Sequence, residues 1–80
     1  MGVGEVTRLS SLTAEERKTL LLLADNGMNV TRVSEASFIS RASIYNRIMS
    51  IRAKTGIDPQ DFWGLSLLLT LMENEKEEHE

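Results

Sequence analysis

Apolar residues come in four bursts, two of them with helical spacing. Leu20, Leu21, Leu22 and Leu23 are consecutive; Val30, Val33 and Ala36 recur every third position; Ile44, Ile48 and Ile51 fall at i, i+4 and i+7; and Phe62 to Met72 is apolar on nearly every side. Repeats of three and four residues mark amphipathic helices, and no stretch alternates as a strand would. Polar start and stop signals bracket each burst. Thr13 with Glu16 three residues on makes a capping box, and Glu15 also suits the positive end of a helix. Gly27 fits the left-handed position after it. Asn29 and Ser40 are the next two N-caps, and Gly56 follows Arg52 and Lys54 at a helix end. Asp58-Pro59-Gln60-Asp61 reads as an Asp cap, a proline at the first helical position and an acid in the first turn. The pattern predicts an all-α domain of four helices at about 13–26, 30–37, 41–55 and 59–75. Residues 1–12 show little periodicity and are expected to be mobile or loosely docked. The domain proper then spans 13–72, and 73–80 reads as an acidic, solvated, fraying tail.

Between the second and third helices stand only Phe38, Ile39 and Ser40. A turn this short prevents the helices from lying antiparallel, which defines a helix-turn-helix unit. If Ile44, Ile48 and Ile51 point inward with Ile39, then Ala42, Asn46 and Ala53 point outward. Ser43, Met49 and Ser50 flank that line, and Arg41, Tyr45, Arg47 and Arg52 sit on its shoulders. Small side chains let a helix approach base edges in a major groove. Asn46 suits an adenine edge and Ser43 either base type. The reading places Arg41, Ser43, Tyr45 and Asn46 at the groove. Asn29, Thr31, Arg32, Arg47 and Arg52 then meet phosphates, and the N-termini at Asn29 and Ser40 offer backbone N–H groups to the same oxygens.

Charge changes the picture only when resolved along the chain. The formal net charge of the 80 residues is −3, yet five glutamates against Lys76 fill the stretch from Glu73 to Glu80. From Thr31 to Lys54 the balance reverses: Arg32, Arg41, Arg47, Arg52 and Lys54 stand against Glu35 alone. A segregated field of this kind suits a polyanion despite the acidic total.

Asn29 to Gly56 resembles the C-terminal helix-turn-helix of PucR-type regulators and, more distantly, those of Fis and NtrC-type activators. The resemblance rests on Asn29-Val30-Thr31-Arg32, Glu35-Ala36, Phe38-Ile39, Arg41, Ile44, Arg47, Ile51 and Thr55-Gly56, with Phe62 to Met72 as the Leu-rich closing helix. It implies a homeodomain- or Fis-like fold and DNA binding with the third helix as reader. Carried over by position, it also implies contacts through Asn29, Thr31, Arg32, Ser40, Arg41, Ser43, Tyr45 and Asn46. Tyr45 and Asn46 stand where Fis carries basic residues, so fewer ionic contacts are available. PucR-type domains usually end a longer chain with a sensor region, and none is evident in these 80 residues, so a stand-alone regulator of bacterial or phage type that does not itself sense a small molecule is expected.

Four consecutive leucines and an all-round apolar last helix exceed what one small core can cover. Leu21, Leu22, Phe62, Trp63, Leu67 and Leu71 are therefore assigned to a homodimer interface. A two-fold dimer would space two reading helices about 34 Å apart, one DNA turn. The rest narrows by elimination. With no cysteine and a single histidine, His79, neither a disulfide, a structural zinc nor a catalytic triad is supported. No metal, cofactor or enzymatic activity is expected. No apolar run reaches membrane-spanning length and the N-terminus lacks a secretion signal, so a cytoplasmic location is expected. Two other readings stay open: a module docking its Leu-rich helices on a larger protein partner, and a phage DNA packaging or replication accessory factor.

Overall fold

The computed structural model describes residues 9–78, with side-chain surroundings through Glu75. A single 3-10 turn, Leu9–Ser11, leads into four helices: α1 (Ala14–Asp25), α2 (Val30–Ser37), α3 (Arg41–Thr55) and α4 (Phe62–Glu78). Among the described residues there is no strand.

The predicted caps set the helix starts. Thr13 Oγ1 accepts from the Glu16 N–H at 3.0 Å while Glu16 Oε1 accepts from the Thr13 N–H at 2.9 Å, completing the box. The Met28 N–H closes the α1 end on the Leu23 carbonyl at 2.7 Å, with Gly27 and Met28 both left-handed. Gly56 ends α3 in the left-handed region at φ 75°.

The core gathers Leu20 and Leu23 of α1, Val30 and Val33 of α2, Ile44, Ile48 and Ile51 of α3, and Leu65 and Leu68 of α4. The isoleucine stripe is buried as its spacing predicts. Ala36 is exposed, contrary to expectation. A strict three-residue repeat drifts by about 60° per step around a helix, so only Val30 and Val33 stay on the inner face.

Three other features depart from the sequence reading. Leu9 and Leu12 are buried in the core, so this part of the N-terminal segment is docked; residues 1–8 lie outside the described residues. The last helix begins at Phe62 and not at Pro59. Asp61 Oδ2 caps it by accepting from the Gly64 N–H at 3.0 Å, while Asp58 Oδ1 accepts from the Gln60 N–H and holds the preceding turn around a buried Pro59. Both aspartates have capping chemistry, and tertiary packing selects the second. A side chain at Gly64 would place its Cβ 2.1 Å from the Asp58 carbonyl oxygen, so glycine lets α4 pass close over that turn. The acidic end remains helical to Glu78, and Glu75 pairs with Arg17 at 2.6 Å, where fraying was expected. His79 and Glu80 of the expected tail lie outside the described residues.

Glu16 ties these parts together. Besides the cap, its carboxylate accepts from Ser50 Oγ at 2.6 Å and from Lys54 Nζ at 2.8 Å, and Lys54 also donates to the Ser11 carbonyl. Burial pushes this carboxyl up, but the hydrogen bonds from Lys54, Ser50 and Thr13 outweigh burial and leave it below its ordinary value. A lowered folded value adds stability above the unfolded value near 4.5, and that stability is lost as pH falls through the folded value. Glu16→Gln keeps the cap chemistry but removes the charge, and is expected to cost about 1–2 kcal/mol at pH 7. In urea titrations its deficit against the unsubstituted chain should shrink as pH drops below 4.5; a deficit constant with pH would refute the linkage. Gly64→Ala is expected to cost about 1–3 kcal/mol through overpacking, read as a lowered melting temperature.

Candidate nucleic-acid interface

Two caps and one strained residue fix the angle between α2 and α3. Asn29 Oδ1 accepts from the Arg32 N–H and Ser40 Oγ from the Ser43 N–H, each at 3.1 Å. Between the helices Phe38 is left-handed at φ 61°, and its N–H returns to the Ser34 carbonyl at 2.9 Å. Ser34 Oγ donates across the turn to the Ile39 carbonyl at 2.6 Å. A bulky residue in this region is a backbone outlier, and the Phe38 ring gains nothing in return, being 95% exposed. Ile39 is half-buried against the core, so the turn is pinned from inside.

With the isoleucines inward, Ala42, Asn46, Met49 and Ala53 form an exposed line along α3. Arg41, Tyr45 and Arg52 beside it are exposed, and Ser43 and Arg47 are half-buried. On α2, Thr31 and Arg32 are exposed, as are the capping residues Asn29 and Ser40. All ten residues expected at DNA therefore lie on the surface of one continuous α2–turn–α3 unit. Asn29, Ser40 and Ser43 each already make a local capping contact, so their positions are fixed by the fold.

Two neighbours of this surface, Ser50 from the flank of the outward line and Lys54 from the cationic stretch, are instead tied to α1 and the turn before it. Ser50 gives its hydroxyl to Glu16, and Lys54 is held between Glu16 and Ser11. The side chains of Arg32, Arg41, Arg47 and Arg52 have no hydrogen bond or ion pair among the described residues. Met49, which the sequence reading set to one side, is 62% exposed on the outward line. Its signal was present in the spacing: it follows Asn46 by three residues and Ala42 by seven.

The residues assigned to a dimer interface lie on α1 and α4. Leu21, Phe62, Trp63 and Leu67 are exposed, while Leu22 and Leu71 are half-buried against the chain's own core. Phe62 and Trp63 meet edge to face with ring centroids 5.1 Å apart. Among the described residues no cluster of three acidic, histidine or cysteine side chains is placed to hold a metal, and no helix is long and apolar enough to cross a membrane.

A family model described as the PucR C-terminal helix-turn-helix domain matches residues 17–72, which takes in most of α1, all of α2 and α3, and α4 as far as Met72. No curated protein and no solved structure matches the chain. The chain belongs to the PucR C-terminal helix-turn-helix family.

Proposed function

We propose that this PucR-type domain binds double-stranded DNA in a sequence-dependent manner as part of transcription regulation, with α3 in the major groove. The observation that carries the reading is the set of four arginine side chains without partners among the described residues, around the exposed line of Ala42, Asn46, Met49 and Ala53. An unpaired guanidinium on a surface is solvated and costs little to redirect to a phosphate or a guanine edge. Arg41, Ser43, Tyr45 and Asn46 face base edges, and Asn29, Thr31, Arg32, Arg47 and Arg52 hold the backbone. Met49 adds an apolar reader. Three residues along a helix rise about 4.5 Å, a little more than the roughly 3.4 Å between base pairs. Asn46 on an adenine edge therefore sets Met49 beside the neighbouring pair, where a thymine methyl is its natural contact. The finer reading is a homodimer that presents two copies of α3 to an inverted repeat, because one chain offers too few contacts for tight specific binding.

Selection of bound sequences from random duplexes, followed by titration over a salt series, tests this reading. Four arginines per chain predict a log–log salt slope no steeper than about −3.6 for a monomer and −7.2 for a dimer. Arg41→Ala is expected to weaken the selected site about tenfold or more while leaving the melting temperature unchanged. Equal affinity at every salt concentration would overturn the assignment of Arg41. No binding at low salt by a folded chain would overturn the DNA reading and favour a protein-docking module. Replacing selected thymines by deoxyuridine removes only the methyl group. One such replacement should cost the unsubstituted chain several-fold in affinity and cost Met49→Ala nothing; equal losses in both would remove Met49 from the readout.

A further inference from the structure

We propose that the outer face of α1 is a two-fold interface for a second copy of this chain, the two α1 helices crossing antiparallel at Leu21 with Lys18 of each opposite Asp25 of the other. The inference rests on the dimer reading above and narrows its interface from the apolar residues of α1 and α4 to the outer face of α1.

The inner face of α1 is spent on the core, where Glu16, Thr19, Leu20 and Leu23 are buried. Lys18, Leu21 and Asp25, at i, i+3 and i+7, lie on the opposite side and are exposed. Leu21 keeps 51% of its surface in water. Beside it runs an apolar seam between α1 and α4. One stretch is lined by Leu21, Ala24, Leu69 and Met72, and it continues past Ala24 and Leu69 to Met28, Phe62 and Leu65.

Charge identifies the occupant. Asp25 and Glu73 edge the seam, so a fitting surface must be apolar with a cation beside it. The chain itself has such a surface, in Leu21 with Lys18 one turn before it. Lys18 and Asp25 have no partner among the described residues, whereas nearby Arg17 and Lys54 are both paired. The seven-residue separation is about 10 Å and is centred beside Leu21. An antiparallel copy therefore sets Lys18 against Asp25 twice, and a parallel copy would set like charges together. This is the self-complementarity of an isologous contact.

The placement also leaves α3 open. Ser50 and Lys54, which meet α1 through Glu16, lie to one side of the Asn46–Ala53 line. Helix α1 thus flanks the exposed face of α3 on the side of Ser50 and Lys54, so a copy added beyond α1 lies on the flank away from Arg41 and Arg52.

Sedimentation equilibrium without DNA, with a charge exchange, tests the proposal. The unsubstituted chain is expected to be a dimer at micromolar concentration. Lys18→Glu and Asp25→Lys should each raise the dimer Kd about tenfold, and the double exchange should return it to within a few-fold. Both sites are exposed, so circular dichroism should show the fold intact. A monomer throughout, or a dimer indifferent to both single reversals, or no recovery in the double exchange, would overturn the interface. A duplex titration on the same samples separates the two readings. DNA binding by a monomer overturns only the interface, and a charge-sensitive dimer that ignores DNA at low salt supports the interface while overturning DNA binding.

Discussion

A buried carboxylate has to be paired or give up its charge, and Glu16 meets that demand with three groups from two parts of the chain. Its partners are the Thr13 N–H at the start of α1, and Ser50 and Lys54 in the second half of α3. Lys54 carries the tie onward to the 3-10 turn through the Ser11 carbonyl. Removing one partner of such a set leaves an uncompensated charge, so the contacts act together. The consequence reaches the exposed surface. One end of α3 is held against α1, and its outward line is presented at a fixed angle by the turn at its other end. The same tie withdraws Lys54 from that surface, so its cations are all arginine, the side chain best shaped for phosphates and guanine edges.

What was legible in the sequence is what is decided locally. A cap and the N–H it receives lie three residues apart, and the isoleucine stripe repeats within two turns of one helix. Such signals place the first three helices and the turn, and helical periodicity then names the residues that face outward. The destination of Lys54 is not of this kind. A lysine in the last turn of a helix suits the helix dipole, a phosphate or an internal acid equally well, and the acid that takes it is 38 positions away in the chain. Leu9 and Leu12 were hidden for a similar reason, because a segment without periodicity gives no sign that the core has room for two more leucines. The start of α4 was ambiguous because Asp58 and Asp61 carry the same chemistry, and only the close approach of Gly64 to the Asp58 carbonyl separates them.

Phe38 shows local preference being overruled. Three residues must reverse the chain between α2 and α3, and one of them has to be left-handed. Ser40 is extended to cap α3, and Ile39 is β-branched and anchored in the core. Only Phe38 remains, although its side chain favours neither that backbone region nor exposure to water. Its strain is held by the hydrogen bonds of Ser34 on both sides of the turn. The angle of the helix-turn-helix unit therefore depends on an inward-pointing isoleucine and two serines as much as on the exposed residues it displays.

The two faces of α1 then acquire a joint meaning. Its inner face fixes α3 through Glu16, and its outer face carries the apolar seam with a charge pattern that complements itself. No loop lies between them, since both belong to the same three turns of helix. A second copy seated on the outer face would thus be linked to its own α3, and to the first chain's, through two rigid helices alone. Spacing between reading helices set in this way tolerates little variation, and that spacing, more than the affinity of either α3, would decide which inverted repeats the pair accepts.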